Sequence, residues 1–337
     1  MFMKKIIVFA FIFIFLFATA CGEDAAEEYT SYANAMDTSA KITVYGKDSK
    51  AVAEECAELF KSLEGEFSAT DANSKLYTLN TNGNIEAEGH LYALCGFANE
   101  LSTLTDGAYN PCIYPLVKLW GFTADEFKVP TQEEIDENVK LVADSKMVFK
   151  DGGIYIENGG MVDLGGIAKG YASEMMRSLI SGSDSTGAVI SLGGNIVTVG
   201  EKSDGTPWSI GINSPKNDGG LIGTLSVGEC AVVTSGSYIR NFEKDGKFYH
   251  HIIDPKTGMP VDNGLVSVTV VADDAALADG LSTAFFVMGI EESLTVAESL
   301  DVDVVFVTEN SISISSGLKE KFTLSKSAED EYDLIFL

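Results

Sequence analysis

Apolar and polar residues recur with two different periods along the chain, and the change of period divides it into two halves. Over residues 49–67, apolar side chains recur three and four positions apart, which predicts an amphipathic helix. Helices are also predicted over residues 88–104 and 131–142. The latter opens with Thr131, and Glu134 follows three residues later, as in a capping box. The first half is therefore predicted to be largely helical.

From residue 147 onwards the pattern changes to short segments separated by glycine-rich turns, which is typical of strands. In the last of these segments, Val266, Val268 and Val270 alternate with Ser267 and Thr269, which predicts one buried face. Together with one earlier segment, the predicted strands cover residues 40–45, 154–157, 187–191, 196–200, 208–212, 221–227 and 265–271.

Two more helices are predicted within or after these strands. One begins after Gly165 and Gly166, and the other covers residues 274–288, with Asp274 as its N-cap. This order lacks the regular βαβ alternation of a doubly wound sheet. We therefore predict an α+β fold, a single large mixed domain over residues 36–325 with a helical first half and a mostly antiparallel sheet region. Residues 326–337 are predicted to be a C-terminal tail.

The first twenty residues are typical of a signal peptide. Lys4 and Lys5 precede an apolar run over residues 6–18, which is shorter than the roughly 20 residues of a membrane-spanning helix. Small residues then lead to Cys21, so we expect cleavage before Cys21 and lipid attachment to its thiol. Ordinary signal cleavage nearby is the alternative. Lipidation would anchor the protein at the extracytoplasmic face of the bacterial cell membrane.

Acidic residues dominate the charge of the chain. Residues 21–35 are acidic and lack hydrophobic periodicity, which is typical of a flexible tether. The whole chain has 23 Lys and Arg against 50 Asp and Glu, a formal net charge of −27. This charge favours solubility and argues against nucleic acid as a partner. An anionic nucleotide substrate would therefore need local cations or a metal ion in its site.

Four cysteines follow Cys21, and they form neither a Cys-x-x-Cys pair nor a zinc-ligand spacing. We predict small buried hydrophobes, although export would permit a disulfide whose pairing the sequence leaves open. The four are Cys56, Cys95, Cys112 and Cys230.

The double glycine Gly165-Gly166 stands between a short strand and a helix that carries Lys169 in its first turn. Glycine lets the backbone approach a ligand, the amides of a helix N-terminus point towards it, and lysine adds a positive charge. These features are typical of a phosphate site. A plain tight turn is the alternative.

Asp279, Ser282 and Thr283 lie three and four positions apart on the predicted late helix, so their oxygens share one face. Carboxylate and hydroxyl oxygens suit Mg²⁺, which completes its coordination from a nucleotide and water. The alternative is that Asp279 faces solvent or caps a neighbouring loop.

Two of the three histidines, His250 and His251, are adjacent. On a strand their rings would point in opposite directions, which argues against a zinc site that uses both. We predict that one ring is structural and that His251 takes a proton from an attacking hydroxyl. Residues 233–238, with Arg240 beyond them, are predicted to line the opposite wall, although taken alone they indicate only a turn.

Six segments together resemble the ApbE-type FAD:protein FMN transferases, and they occur in family order between residues 36 and 289. The segments are Thr105-Asp-Gly-Ala-Tyr-Asn-Pro, Pro115-Leu-Val-Lys-Leu-Trp-Gly-Phe, Asp163-Leu-Gly-Gly-Ile-Ala-Lys-Gly-Tyr, Thr234-Ser-Gly, His250-His-Ile-Ile-Asp-Pro-Lys-Thr-Gly and Ala278-Asp-Gly-Leu-Ser-Thr-Ala.

The resemblance implies a Mg²⁺ site, with Mn²⁺ as an alternative, next to the FAD pyrophosphate. Its ligands would be the main-chain oxygen of Gly166 and the side chains of Asp279 and Thr283. The resemblance also implies FAD contacts at Met36, Thr70, Ala108, Tyr109, Asn110, Asp163, Lys169 and Ile253. The chain departs from the family pattern at Asp37 (often glycine), Thr70 (tyrosine in some members), Asn110 (commonly aspartate) and Ser282 (a second metal-binding aspartate in some members).

The activity that the resemblance implies is metal-dependent transfer of the FMN moiety of FAD to a Ser or Thr hydroxyl of an exported or membrane flavoprotein, with release of AMP. His251 and Asp279 are the predicted catalytic residues. Two alternatives stay open: an FAD pyrophosphatase that gives FMN and AMP, and a flavin-binding lipoprotein that carries out no chemistry.

Overall fold

The structure is a computed structural model, and it describes residues 27–123, 126–216 and 219–337. The predicted signal peptide and Cys21 lie outside these ranges. Among the helices within them, none is long and apolar enough to cross a membrane.

Helices and strands occur along the whole of the described chain, separated by loops and turns. The helices are α1 (Ser49–Phe67), α2 (Lys75–Asn82), α3 (His90–Leu104), α4 (Tyr114–Trp120), α5 (Gln132–Asp144), α6 (Ala168–Ser181), α7 (Ala275–Met288) and α8 (Ile290–Leu300), with a 3₁₀ turn at Ser316–Leu318. The strands are β1 (Glu28–Ala35), β2 (Thr38–Gly46), β3 (Asn84–Glu86), β4 (Lys146–Lys150), β5 (Gly153–Glu157), β6 (Ser185–Leu192), β7 (Asn195–Gly200), β8 (Trp208–Asn213), β9 (Leu221–Val227), β10 (Cys230–Gly236), β11 (Asn241–Lys244), β12 (Lys247–His250), β13 (Leu265–Ala272), β14 (Asp303–Thr308), β15 (Ser311–Ile314), β16 (Phe322–Leu324) and β17 (Asp333–Phe336).

A nine-stranded sheet in the order β1-β2-β6-β7-β10-β13-β14-β15-β17 is the centre of the fold. Every neighbouring pair is antiparallel except β15 and β17. Helices α1, α6 and α7 pack on one face. The smaller sheet β16-β9-β8 shares a hydrophobic cluster with the other face. The prediction of an α+β fold with a mostly antiparallel sheet region is confirmed.

Both faces of the nine-stranded sheet are covered, which corrects the prediction that β13 has one buried face. Val268 and Val270 face the helices, and Val271 faces the smaller sheet. Ser267 and Thr269 are as deeply buried as the valines. The expectation of one buried face is therefore wrong, because a second layer covers the polar side of the strand as well.

Both ends of the described chain differ from the predicted tether and tail. Residues 28–35, predicted as part of a flexible tether, form β1, which pairs with β2 along its whole length. Asp333–Phe336, predicted as part of a tail, adds β17 to the opposite edge of the sheet. Each strand is specified by its pairing partner rather than by its own composition.

The helix boundaries largely agree with the pattern of the sequence. Helix α1 covers the predicted residues, and α5 begins with the predicted capping box between Thr131 and Glu134. Asp274 caps α7 and accepts a hydrogen bond from the N–H of Leu277 at 2.7 Å. The four cysteines that the structure describes are buried and free. They therefore serve as small hydrophobes.

Candidate active site

One cavity of about 390 Å³ lies where the N-terminus of α6, the middle of α7, the end of β10 and the β1–β2 turn meet. Ser282, predicted on one face with Asp279 and Thr283, is fully buried and does not line this cavity, and Cys21 is not described. All the other predicted catalytic, cofactor-binding and metal-binding residues line it. They are Met36, Thr70, Ala108, Tyr109, Asn110, Asp163, Gly166, Lys169, His251, Ile253, Asp279 and Thr283. Residues from distant parts of the sequence are thus brought together.

Asp279 lies at the crossing of α6 and α7 and is only 2% exposed, so the alternative of a solvent-facing carboxylate is wrong. The N–H of Gly170 donates to its Oδ2 at 2.8 Å. Its Oδ1 lies 3.5 Å from the Nζ atom of Lys169. A buried carboxylate with one oxygen next to a single lysine retains capacity to bind a cation.

Gly170 makes this close crossing possible, because a Cβ atom there would lie 2.2 Å from the carbonyl oxygen of Ala275 and 2.6 Å from the Cβ of Asp279. We expect Gly170→Ala to lower the free energy of unfolding by about 3 kcal/mol, since overpacking forces the two helices apart. Urea denaturation measures this change. The control is Gly96→Ala within α3, where a Cβ has open space and should be neutral or stabilising. Equal stability of both variants would contradict the packing argument.

The candidate metal ligands converge next to this crossing. A Cβ at Gly166 would lie 3.2 Å from Oγ1 of Thr283, so the double-glycine turn approaches α7 closely. Within the described ranges there is no group of three or more His, Cys, Asp or Glu side chains that could hold a metal. One carboxylate, one hydroxyl and one main-chain oxygen are hard donors, and they suit Mg²⁺ or Mn²⁺ better than zinc.

Asp163 shapes the double-glycine turn. Its Oδ1 accepts a hydrogen bond from the N–H of Gly165 at 2.6 Å. Burial raises the pKa of Asp163, while that hydrogen bond and the charges of Arg240 and Lys169 oppose the increase. Gly165, Gly166 and Lys169 line one wall, so the ammonium group of Lys169 at the N-terminus of α6 is placed as a phosphate site requires.

Tyr109 provides a test of whether a ligand fits this wall. Its hydroxyl is buried and has no hydrogen-bond partner among the described residues. Burial raises the pKa of Tyr109 well above its usual value, and the charges of Asp163 and Asp279 add to the effect. The hydroxyl therefore stays protonated. A buried donor without an acceptor costs about 1–3 kcal/mol, so a ligand oxygen at this wall would satisfy it.

His251 and His250 have different surroundings. Both the main-chain N–H and Nδ1 of His251 contact the carbonyl oxygen of Arg240, at 3.0 and 3.1 Å. A carbonyl only accepts, so Nδ1 carries the proton and Nε2 keeps its lone pair. Burial lowers the pKa of His251 to about 4, so the ring is neutral at pH 7. His250 is buried against Phe286, and its Nε2 contacts the carbonyl oxygen of Val261 at 2.9 Å.

The side chain of Arg240 spans the mouth of the cavity. It donates to Oδ2 of Asp37 and to the carbonyl oxygen of Phe122, both at 3.2 Å. Beside it, Ile239 is 55% exposed at the turn after β10. A second cleft, of about 610 Å³, adjoins this mouth and is lined by Phe127 as well as by Ile239 and Arg240. The mouth therefore combines an ion pair with exposed apolar surface.

One functional neighbour, Glu64, was not predicted from the sequence. Oε1 of Glu64 accepts from the N–H of Met36 at 3.0 Å and supports a β1–β2 turn in which Met36 and Asp37 both have positive φ. Ser235 belongs to the wall predicted over residues 233–238 and does line the cavity. Its hydroxyl contacts α7, because Cys230–Gly236 is strand β10 and not a turn. The run of valines before Thr234 is the signal that could have identified this strand.

Known proteins resemble this chain over most of its length. The ApbE family matches residues 36–306. An FAD:protein FMN transferase of Klebsiella pneumoniae is 33% identical over 304 residues, which are 88% of this chain and 94% of that protein. One of Treponema pallidum is 32% identical over 332 residues, which are 90% of this chain and 91% of that protein.

Two solved structures share the fold. The ApbE protein of Thermotoga maritima has a TM-score of 0.78 and 33% identity, and the match covers 91% of this chain and 100% of that one. The flavin transferase ApbE of Vibrio cholerae has a TM-score of 0.75 and 28% identity, with 91% and 99% covered. The family match, the curated relatives and the shared fold lead to one conclusion: the chain belongs to the ApbE family.

Proposed function

We propose that this chain is an enzyme that transfers the FMN moiety of FAD to a Ser or Thr hydroxyl of an acceptor flavoprotein and releases AMP. The observation that carries the proposal is that a neutral histidine, a phosphate-type turn and a set of hard cation ligands line one and the same cavity. Curated relatives that match most of this chain are named FAD:protein FMN transferase.

The pyrophosphate of FAD needs positive charge in a protein whose net charge is −27. Lys169 and the positive end of the α6 dipole supply part of it. The carbonyl of Gly166 and the side chains of Asp279 and Thr283 would hold Mg²⁺ or Mn²⁺. When bound, the cation supplies Lewis-acid stabilisation of charge on the phosphoryl oxygens. Tyr109 adds a neutral donor on the same wall.

His251 moves the proton in this proposal. Nε2 takes it from the acceptor hydroxyl as the oxygen attacks the phosphorus of the FMN half. A new ester bond forms between that oxygen and phosphorus, and the bond from phosphorus to the bridging oxygen breaks. The bridging oxygen keeps the electron pair and leaves with AMP. The acceptor therefore gains FMN less one water.

The acceptor reaches the phosphorus through the mouth beside Arg240, because the main chain of Arg240 also holds His251. We expect Ile239→Asp to raise the KM for the acceptor protein about tenfold and to leave FAD affinity unchanged, since an exposed apolar contact is lost. Steady-state kinetics measures the KM. Ile335→Asp, on the distant edge strand β17, is the control. An unchanged KM would refute this route of entry.

Two rival functions make different predictions. A pyrophosphatase would release AMP from FAD with no gain in acceptor mass, because water replaces the hydroxyl. A flavin-binding lipoprotein would leave FAD intact during prolonged incubation with Mg²⁺. Intact-mass measurement of a candidate flavoprotein, incubated with this protein, FAD and Mg²⁺, distinguishes all three.

Export and lipid attachment at Cys21 stay predictions from the sequence. We propose that they place the reaction at the extracytoplasmic face of the membrane, where the acceptor is an exported or membrane flavoprotein. The formal charge continues to argue against nucleic acid as a partner.

A further inference from the structure

Three hydroxyl groups meet where β10 packs against α7. Oγ of Ser235 lies 2.8 Å from Oγ of Ser282 and 3.3 Å from Oγ1 of Thr283. Oγ of Ser282 lies 2.8 Å from the carbonyl oxygen of Asp279. Ser282 is fully buried, whereas Ser235 and Thr283 line the cavity.

The donor and the acceptor of each hydrogen bond in this network follow from the number of protons that the hydroxyl groups carry. Each hydroxyl has one proton to donate, and the carbonyl of Asp279 has none. Ser282 must therefore donate to that carbonyl, because two oxygens at 2.8 Å without a proton between them repel each other. The equally short contact with Ser235 then requires the proton of Ser235.

Thr283 stands at the start of the network. Once Ser235 has donated to Ser282, its oxygen can accept the proton of Thr283 across 3.3 Å. The alternative acceptor for Thr283, the carbonyl of Asp279, is 3.5 Å away. The network therefore runs from Thr283 to Ser235, then to Ser282, and ends on the carbonyl of Asp279.

We propose that Ser235 is a positioning residue that turns Thr283 into a pure acceptor towards the cavity, and so prepares the site for a divalent cation. This inference rests on the proposed function, because it concerns the metal that the function requires. With its proton engaged, Oγ1 of Thr283 presents only lone pairs beside the carboxylate of Asp279 and the main chain of Gly166. It also gives a role to Ser282, a departure from the family pattern.

Removal of the Ser235 hydroxyl should weaken cation binding. In Ser235→Ala the proton of Thr283 is free to point into the cavity, where it opposes a cation. Loss of a residue that orients a metal ligand typically lowers metal affinity about 10- to 100-fold. Ser235→Thr keeps a hydroxyl on a strand that accepts β-branched residues, so it should restore the affinity.

The experiment titrates Mn²⁺ into the purified protein and follows free Mn²⁺ by electron paramagnetic resonance, with ADP present as a pyrophosphate-bearing stand-in. The variants are Ser235→Ala, Ser235→Thr and Ser282→Ala, which interrupts the network one step later. Ser267→Ala is the matched control, since Ser267 is a buried serine on the neighbouring strand β13 whose hydroxyl has no partner among the described groups. Thermal unfolding checks that each variant is folded.

We expect lower Mn²⁺ affinity in Ser235→Ala and Ser282→Ala, and affinity close to that of the unaltered protein in Ser235→Thr and Ser267→Ala. The inference is overturned if Ser235→Ala binds Mn²⁺ as tightly as the unaltered protein does, or if Ser235→Thr is as weak as Ser235→Ala. If the unaltered protein itself does not bind Mn²⁺, the inference and the metal dependence of the proposed function both fall. If Ser235→Ala is unfolded, Ser282→Ala decides the question in the same way.

Discussion

Replacing Asp279 with asparagine is expected to lower the rate of FMN transfer about a thousandfold. The side chain is buried, accepts from the N–H of Gly170 and lies beside Lys169. Asparagine keeps the volume and removes the negative charge that would hold the cation. It also leaves the ammonium group of Lys169 with only the carbonyl oxygen of Gly165 as a partner. Quantification of AMP released from FAD in the presence of Mg²⁺ measures the loss.

Asp274 offers a matched control on the same helix. Its Oδ1 caps α7 by accepting from the N–H of Leu277, and asparagine caps helices equally well. Asp274→Asn should therefore retain the activity of the unaltered protein. If Asp279→Asn kept most of its activity, Asp279 would not be a metal ligand.

The second large effect is expected at His251. His251→Ala should lower the transfer rate by about a hundredfold or more and leave FAD affinity intact, because general-base catalysis is lost while the cavity remains. His90→Gln is the control, since His90 contacts Tyr171 and does not line the cavity. Single-turnover kinetics of acceptor flavinylation separates the transfer step from binding. An unchanged rate in His251→Ala would show that another group accepts the proton of the acceptor hydroxyl.

The lowered pKa of His251 also predicts a dependence on pH. Since the pKa is about 4, the base stays neutral above that pH, and its contribution to the rate should be lost only near pH 4.

In the unfolded chain the ordinary pKa of His251 is 6.5, above its value in the folded protein. The unfolded state therefore binds more protons between these two values, and the free energy of unfolding falls as pH decreases from about 6.5 to 4. His251→Gln should reduce that fall, and urea titrations across this range measure it.

The sequence pattern predicted those helices whose boundaries depend only on residues within or next to the helix. The periodicity of α1 and the caps of α5 and α7 are set by neighbours in sequence, and these helices form as predicted. The missed strands depend on distant partners. The acidic β1 is defined by its pairing with β2, and β17 is defined by β15, so composition alone was misleading.

The candidate site also combines residues that the sequence indicated with contacts that it did not indicate. Ordered segments indicated the residues that line the cavity, and the structure places them together. The contacts that orient those residues join distant segments, as between Ser235 and Thr283 or between Asp37 and Arg240. The tight crossing at Gly170 also has no local signature, because only the opposing helix forbids a side chain there.

The proposed function requires that the FMN half of FAD is transferred to a protein rather than to water. The most direct test incubates the purified protein with FAD, Mg²⁺ and the membrane fraction of cells that lack it, and then measures both the AMP released and the flavin that stays bound to protein after denaturation. We predict one covalently bound FMN for each AMP, with both products nearly absent for Asp279→Asn. Release of AMP without protein-bound flavin would contradict it and identify the protein as a hydrolase of FAD.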